Sequence, residues 1–153
     1  MIETTDLTIT LKTPSSGQSN RDDMETKLKP LILIVEDEPD LRELVKYALE
    51  KRGYEVLEAG NGQEGIDLFV QYESKLCLIV SDVKMPIMDG IAFLEYVRAK
   101  STVPFVFMTG YSEKVGQEQA LKLGANEYIN KPVRTSTLAE IVQRLATPLA
   151  KES

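Results

Sequence analysis

Histidine is absent from the 153 residues, tryptophan is absent as well, and cysteine occurs once. Without histidine the chain has no imidazole metal ligand, no imidazole general base, and no side chain that can carry a phosphohistidine. The lone thiol, Cys77, cannot close an internal disulfide, and its place inside the apolar run 76–80 reads as a small buried hydrophobe. No apolar stretch approaches the roughly 20 residues that cross a bilayer, and the N-terminus lacks a charged-then-apolar signal pattern. A cytoplasmic protein without membrane insertion is therefore expected. Positive charge is scarce too: 18 Lys and Arg stand against 24 Asp and Glu, a net charge of -6, with no basic run. Direct binding to nucleic acid is not expected from such a body. The chemistry left open is that of carboxylates, hydroxyls and lysine.

Residues 1–28 are polar, contain no aromatic residue, and read as a mobile extension. Within them Leu7, Ile9 and Leu11 alternate with polar residues as in a short strand, and Met24 offers a second possible start. From residue 29 to 147 short apolar runs alternate with amphipathic stretches, the pattern of a parallel sheet with helices on both faces. The expected strands are 31–35, 54–59, 76–80, 104–108 and 127–130. The first helix, opened near Pro39 and closed by Gly53, carries the stripe Leu41, Leu44, Val45, Ala48 and Leu49. Asn61 and Glu64 form a capping pair for a helix with Ile66, Phe69 and Val70. Asp89-Gly90 starts a helix with Ile91, Leu94 and Val97 facing inward. Ser112 is expected to cap the next helix, weakened by Gly116, and Leu138, Ile141, Val142 and Leu145 mark the last. Residues 148–153 form a short tail.

Ligands of an open α/β sheet gather beyond the carboxyl ends of its strands. Glu36-Asp37-Glu38 follow the first strand, Asp82 the third, Thr109-Gly110 the fourth, and Lys131-Pro132 the fifth. Carboxylates about 4 Å apart repel by roughly 4 kcal/mol at an effective dielectric of 20, so such a cluster protonates or recruits a cation. Few protein oxygens, retained waters and a ligand phosphate suit Mg²⁺ better than Ca²⁺. Asp82 can then act as a carboxylate nucleophile toward a phosphoryl group, with Lys131 and the Thr109 hydroxyl holding its oxygens.

The segments Val35-Glu36-Asp37-Glu38, Asp82-Val83-Lys84-Met85-Pro86-Ile87-Met88-Asp89-Gly90, Thr109-Gly110 and Tyr128-Ile129-Asn130-Lys131-Pro132 resemble the motifs of the response-regulator receiver domain. The resemblance runs from about Leu31 to Ala146. It implies a flavodoxin-like three-layer (βα)5 fold with a five-stranded parallel sheet in the order 2-1-3-4-5. It implies Asp82 as phosphate acceptor and Mg²⁺ held by Glu36, Asp37, Asp82 and the Lys84 backbone carbonyl. Thr109 and Lys131 would contact the phosphoryl group, Thr109 and Tyr128 would form the switch, and the Lys131-Pro132 bond would be cis.

The implied donor is a sensor histidine kinase or a His-containing phosphotransfer protein. The implied recipient is a downstream protein, with the chain a monomer or a phosphorylation-linked dimer. Such a receiver catalyses only its own phosphorylation and hydrolysis, and no output domain is expected within this length. Lys84, at a position that varies in the family, is expected to slow self-dephosphorylation, and Arg134 to delay the last helix to 135–137. Two alternatives stand beside this one: a binding module that never uses a phosphate, and a phosphatase of the haloacid dehalogenase type. The latter wants a second aspartate two residues after the nucleophile, where this chain has Lys84.

Overall fold

A computed structural model describes residues 29–110 and 114–152. The expectations for residues 1–28 and for Ser112 lie outside the described residues. Five strands, β1 (Leu31–Val35), β2 (Glu55–Ala59), β3 (Leu76–Asp82), β4 (Phe105–Thr109) and β5 (Glu127–Asn130), form one sheet in the order β2-β1-β3-β4-β5. Every neighbouring pair is parallel. Between and after them run α1 (Pro39–Glu50), α2 (Gly62–Tyr72), α3 (Gly90–Arg98), α4 (Lys114–Leu123) and α5 (Thr135–Glu152). This is the flavodoxin-like arrangement.

Side chains alternate across each strand, so the sheet divides the apolar interior into two layers. Leu33, Val35, Ile79, Phe105 and Phe107 face one way and meet Phe69 of α2 and Phe93 of α3. Ile32, Ile34, Leu78, Val80, Val106 and Met108 face the other and meet Val45 and Leu49 of α1 and Leu138 and Val142 of α5. Cys77 lies partly buried beside this second layer, its thiol pushed up to about 11 by burial.

Local signals act at the helix ends. The Asn61 side chain accepts from Glu64 N–H at 2.9 Å, and Glu64 Oε1 accepts in return from Gly60 N–H at 2.7 Å, one residue earlier than in the usual reciprocal cap. Gly53, at φ 97, closes α1 in the left-handed conformation. Two residues of the expected stripes turn outward: Leu44 is 48% exposed and Val70 57%. Each lies about 100° around its helix from the residue that faces the sheet, beyond the arc the sheet covers. β3 runs two residues past its apolar stretch, because Ser81 and Asp82 keep their pairing with Phe107 and Met108. β2 and β4 begin one residue later than expected, at Glu55 and Phe105, and β4 extends to Thr109. α5 starts at Thr135, as expected, and continues to Glu152, beyond the apolar stripe that ends at Leu145.

Candidate functional site

Strand register brings the charged residues together. Val35 pairs with Ser81, so the next residues, Glu36 and Asp82, leave their strands side by side. Asp82 pairs with Met108 and Thr109 with Asn130, which sets Thr109 and Lys131 at the same edge. The backbone bond from Lys131 N–H to Thr109 O, 2.8 Å, continues the ladder past the end of β5. Asp82 and Thr109 are thus the last residues of their strands, whereas Glu36 and Lys131 follow theirs.

Carboxylate oxygens of Glu36, Asp37 and Asp82 all lie within 4.8 Å of one another. Lys131 Nζ donates to Asp82 Oδ2 at 2.8 Å and lies 3.5 Å from Glu36 Oε1. The lysine is the cation that the buried end of β3 requires. Glu36 is fully buried and Asp82 nearly so, while Asp37 is exposed. Burial raises Glu36 from 4.5 to about 7, helped by the charges of Asp82 and Asp37 and opposed by the Glu38 N–H and by Lys131. Burial also raises Asp82, although Lys131 and the backbone of Val83 and Lys84 favour its charged form. Burial pulls Lys131 down, yet the hydrogen bond and charge of Asp82, with Glu36, win and raise it.

Glu36 Oε1 has no hydrogen-bond partner among the described residues, while Oε2 accepts from Glu38 N–H at 3.0 Å. A buried carboxylate oxygen met by an ammonium at 3.5 Å rather than by a hydrogen bond, and facing two further carboxylates, is a fit for a hard cation with oxygen ligands. One ammonium does not balance three carboxylates. Thr109 is fully buried and donates through Oγ1 to Gly110 O at 3.3 Å.

Lys84 is exposed and borders an open cleft of about 430 Å³, together with Asp37, Met85, Pro86 and Asp89. The cleft adjoins the acid cluster through Asp37. Between Pro86 and Asp89 the chain makes a tight turn in which Met88 N–H donates to Pro86 O at 2.7 Å around Ile87, whose φ is 71. Asp89 caps α3 by accepting from Ala92 N–H at 2.9 Å. Tyr128 is half-buried against the aromatic layer, and the Lys131-Pro132 bond is cis. Arg42, which no sequence pattern singles out, donates through Nη1 to the backbone carbonyl of Glu36 at 2.6 Å.

A parallel (βα)5 sheet with an acidic pocket and a lysine at the carboxyl ends of β1, β3 and β5 defines the receiver class of signalling domain. The family profile described as the response regulator receiver domain matches residues 32–143, and the chain belongs to that family. It is 37% identical over 124 residues to an uncharacterised 14.6 kDa protein of Leptolyngbya boryana, covering 79% of this chain and 93% of that one. It is 33% identical to the uncharacterised transcriptional regulatory protein YrkP of Bacillus subtilis, over 74% of this chain and 48% of YrkP. The chain therefore spans about half the length of that relative. A response regulator receiver domain protein from Clostridium thermocellum superposes with a TM-score of 0.75 at 27% identity, over 80% of this chain and 98% of that one. Receiver domains are signalling domains of two-component systems. No helix among the described residues is long and apolar enough to cross a membrane.

Proposed function

We propose that this chain is a phosphoacceptor of a two-component system or phosphorelay, taking a phosphoryl group onto Asp82 from the phosphohistidine of a sensor kinase or His-containing phosphotransfer protein. In the step, a carboxylate oxygen of Asp82 forms a bond to phosphorus as the phosphorus–nitrogen bond of the donor breaks. The donor imidazole leaves with the electron pair and takes up a proton. Asp82 is aimed by the end of β3 and by Lys131, whose ammonium also meets the charge that spreads over the transferring oxygens. Thr109 supplies a hydroxyl at the end of the adjacent strand.

Glu36, Asp37 and Asp82, with the Lys84 backbone carbonyl, would hold Mg²⁺. When bound, the ion neutralises the crowded carboxylates and the phosphoryl oxygens. Thr109 at the end of β4 and Tyr128 on β5, which pairs with Phe107 two residues before Thr109, would pass the change to the face of α4, β5 and α5, where a downstream protein would bind.

The observation that carries the reading is the meeting of Glu36, Asp37 and Asp82 beside Lys131, with Glu36 Oε1 met by that ammonium at 3.5 Å and by no hydrogen bond among the described residues. Acetyl phosphate and Mg²⁺, followed by intact-mass measurement, tests it. Wild type should gain one phosphoryl group and Asp82→Ala none. A folded wild-type chain that gains no mass refutes the proposal and leaves the phosphate-independent binding module in its place.

A further inference from the structure

Glu36 is held at three of its four polar groups. Its N–H donates to Ala59 O at 3.0 Å, its Oε2 accepts from Glu38 N–H at 3.0 Å, and its carbonyl oxygen accepts from Arg42 Nη1 at 2.6 Å. The first two bonds are made by the main chain at the strand end and the turn after it. The third comes from a side chain on the first turn of α1, and it is a short, charge-assisted bond. Arg42 is itself anchored at its other edge, where Nε donates to Glu58 Oε1 of β2 at 3.2 Å. Glu58 in turn is fixed by Lys46, whose Nζ lies 3.1 Å from Oε2.

We propose that Arg42 is a positioning residue for the cation site: by tying the Glu36 peptide to β2 it sets the aim of the Glu36 and Asp37 carboxylates. The inference rests on the reading of that cluster as a Mg²⁺ site. A planar guanidinium is suited to the task because the two acceptors, a carbonyl in the loop after β1 and a carboxylate on β2, need N–H groups in two fixed directions. Lysine offers a point charge without that fork.

Arg42 is also a positive charge near an acidic pocket, and its two properties push cation binding in opposite directions. As a charge, its loss tightens the binding of any divalent ion. As a positioner, its loss loosens the carboxylates. That penalises Mg²⁺, which demands near-ideal octahedral geometry, more than Ca²⁺, whose shell is larger and adaptable. The ratio of Mg²⁺ to Ca²⁺ affinity therefore reports positioning separately from charge and from fold stability.

The test is calorimetric titration of the full chain with MgCl₂ and, separately, CaCl₂, for wild type, Arg42→Met, Arg42→Lys and Glu58→Gln. Titrations are run at a temperature where melting in EDTA shows each variant folded. Arg42→Met should weaken Mg²⁺ by about tenfold, in the range of lost outer partners of a metal ligand, and Ca²⁺ by clearly less. Arg42→Lys should lose the same selectivity, and Glu58→Gln, which keeps an acceptor oxygen, should retain it. If Arg42→Met does not fold, Arg42→Lys against wild type decides. Unchanged or tighter Mg²⁺ binding, equal changes for both ions, or full selectivity in Arg42→Lys overturns the inference alone. A wild type that takes up no Mg²⁺ beyond what Asp82→Ala does overturns the site itself, and this inference with it.

Discussion

Glu36 changes protonation near neutral pH because burial lifts it from 4.5 to about 7 in the metal-free protein. Below about 4.5 the folded and unfolded chains both hold the proton, and between there and about 7 only the folded chain keeps it. Stability therefore falls as pH rises through that window, and Asp82, raised by burial, adds to the slope. A tenfold change in proton affinity is worth about 1.4 kcal/mol, so the loss from Glu36 is at most on the order of 3 kcal/mol. In EDTA, the melting temperature of wild type relative to Glu36→Gln should drop across this range, and a rising difference contradicts the assignment. A second expectation concerns Lys84 at the rim of the cleft. If its ammonium lies over the proposed acyl phosphate and hinders water, Lys84→Ala should shorten the phosphoryl half-life, by no more than about fivefold for an exposed cation. An unchanged half-life removes the role. At this scale the acidic residues and the lysine were legible because each stands at or just past the end of a recognisable apolar run. Arg42 was not, since its partners Glu36 and Glu58 meet only when β2 lies beside β1.

The turn from β3 into α3 joins chemistry to packing. Gly90 N–H donates to Val83 O at 2.7 Å, and a Cβ at Gly90 would overlap the Asp82 carbonyl oxygen and sit 2.7 Å from Phe107 Cε1. Gly90→Ala should therefore lower stability by about 2–3 kcal/mol, despite alanine's better helix propensity, as read from the urea midpoint. An unshifted midpoint would show that the close approach is not maintained in solution. Ile87, at φ 71 and 80% exposed, holds a left-handed conformation that a β-branched side chain disfavours. Strand and helix order followed from periodicity and caps. Phe93, fully buried, escaped the helical stripe of Ile91, Leu94 and Val97, because α3 packs against both the sheet and α2 and buries a wider arc than one stripe.

Across the molecule, the sheet keeps two apolar layers apart and gathers charge at one edge. Crowding at that edge opposes folding of the metal-free chain, and a bound cation would relieve it. Asp82→Asn should thus raise the melting temperature of the metal-free chain, and Mg²⁺ should raise that of wild type more than that of the variant. Equal responses to Mg²⁺ in differential scanning calorimetry count against the cluster. The alternation of strands and helices made the layered architecture readable. The strand order came from family resemblance, since no local pattern says that β1 lies between β2 and β3.

The buried oxygen of Glu36 has one more implication. If a divalent ion binds there, a carboxyl raised to about 7 would surrender hydrogen ion to the solvent as the ion takes its place, which would tie occupancy of this pocket to ambient acidity. A more acidic medium would then weaken the hold on the ion.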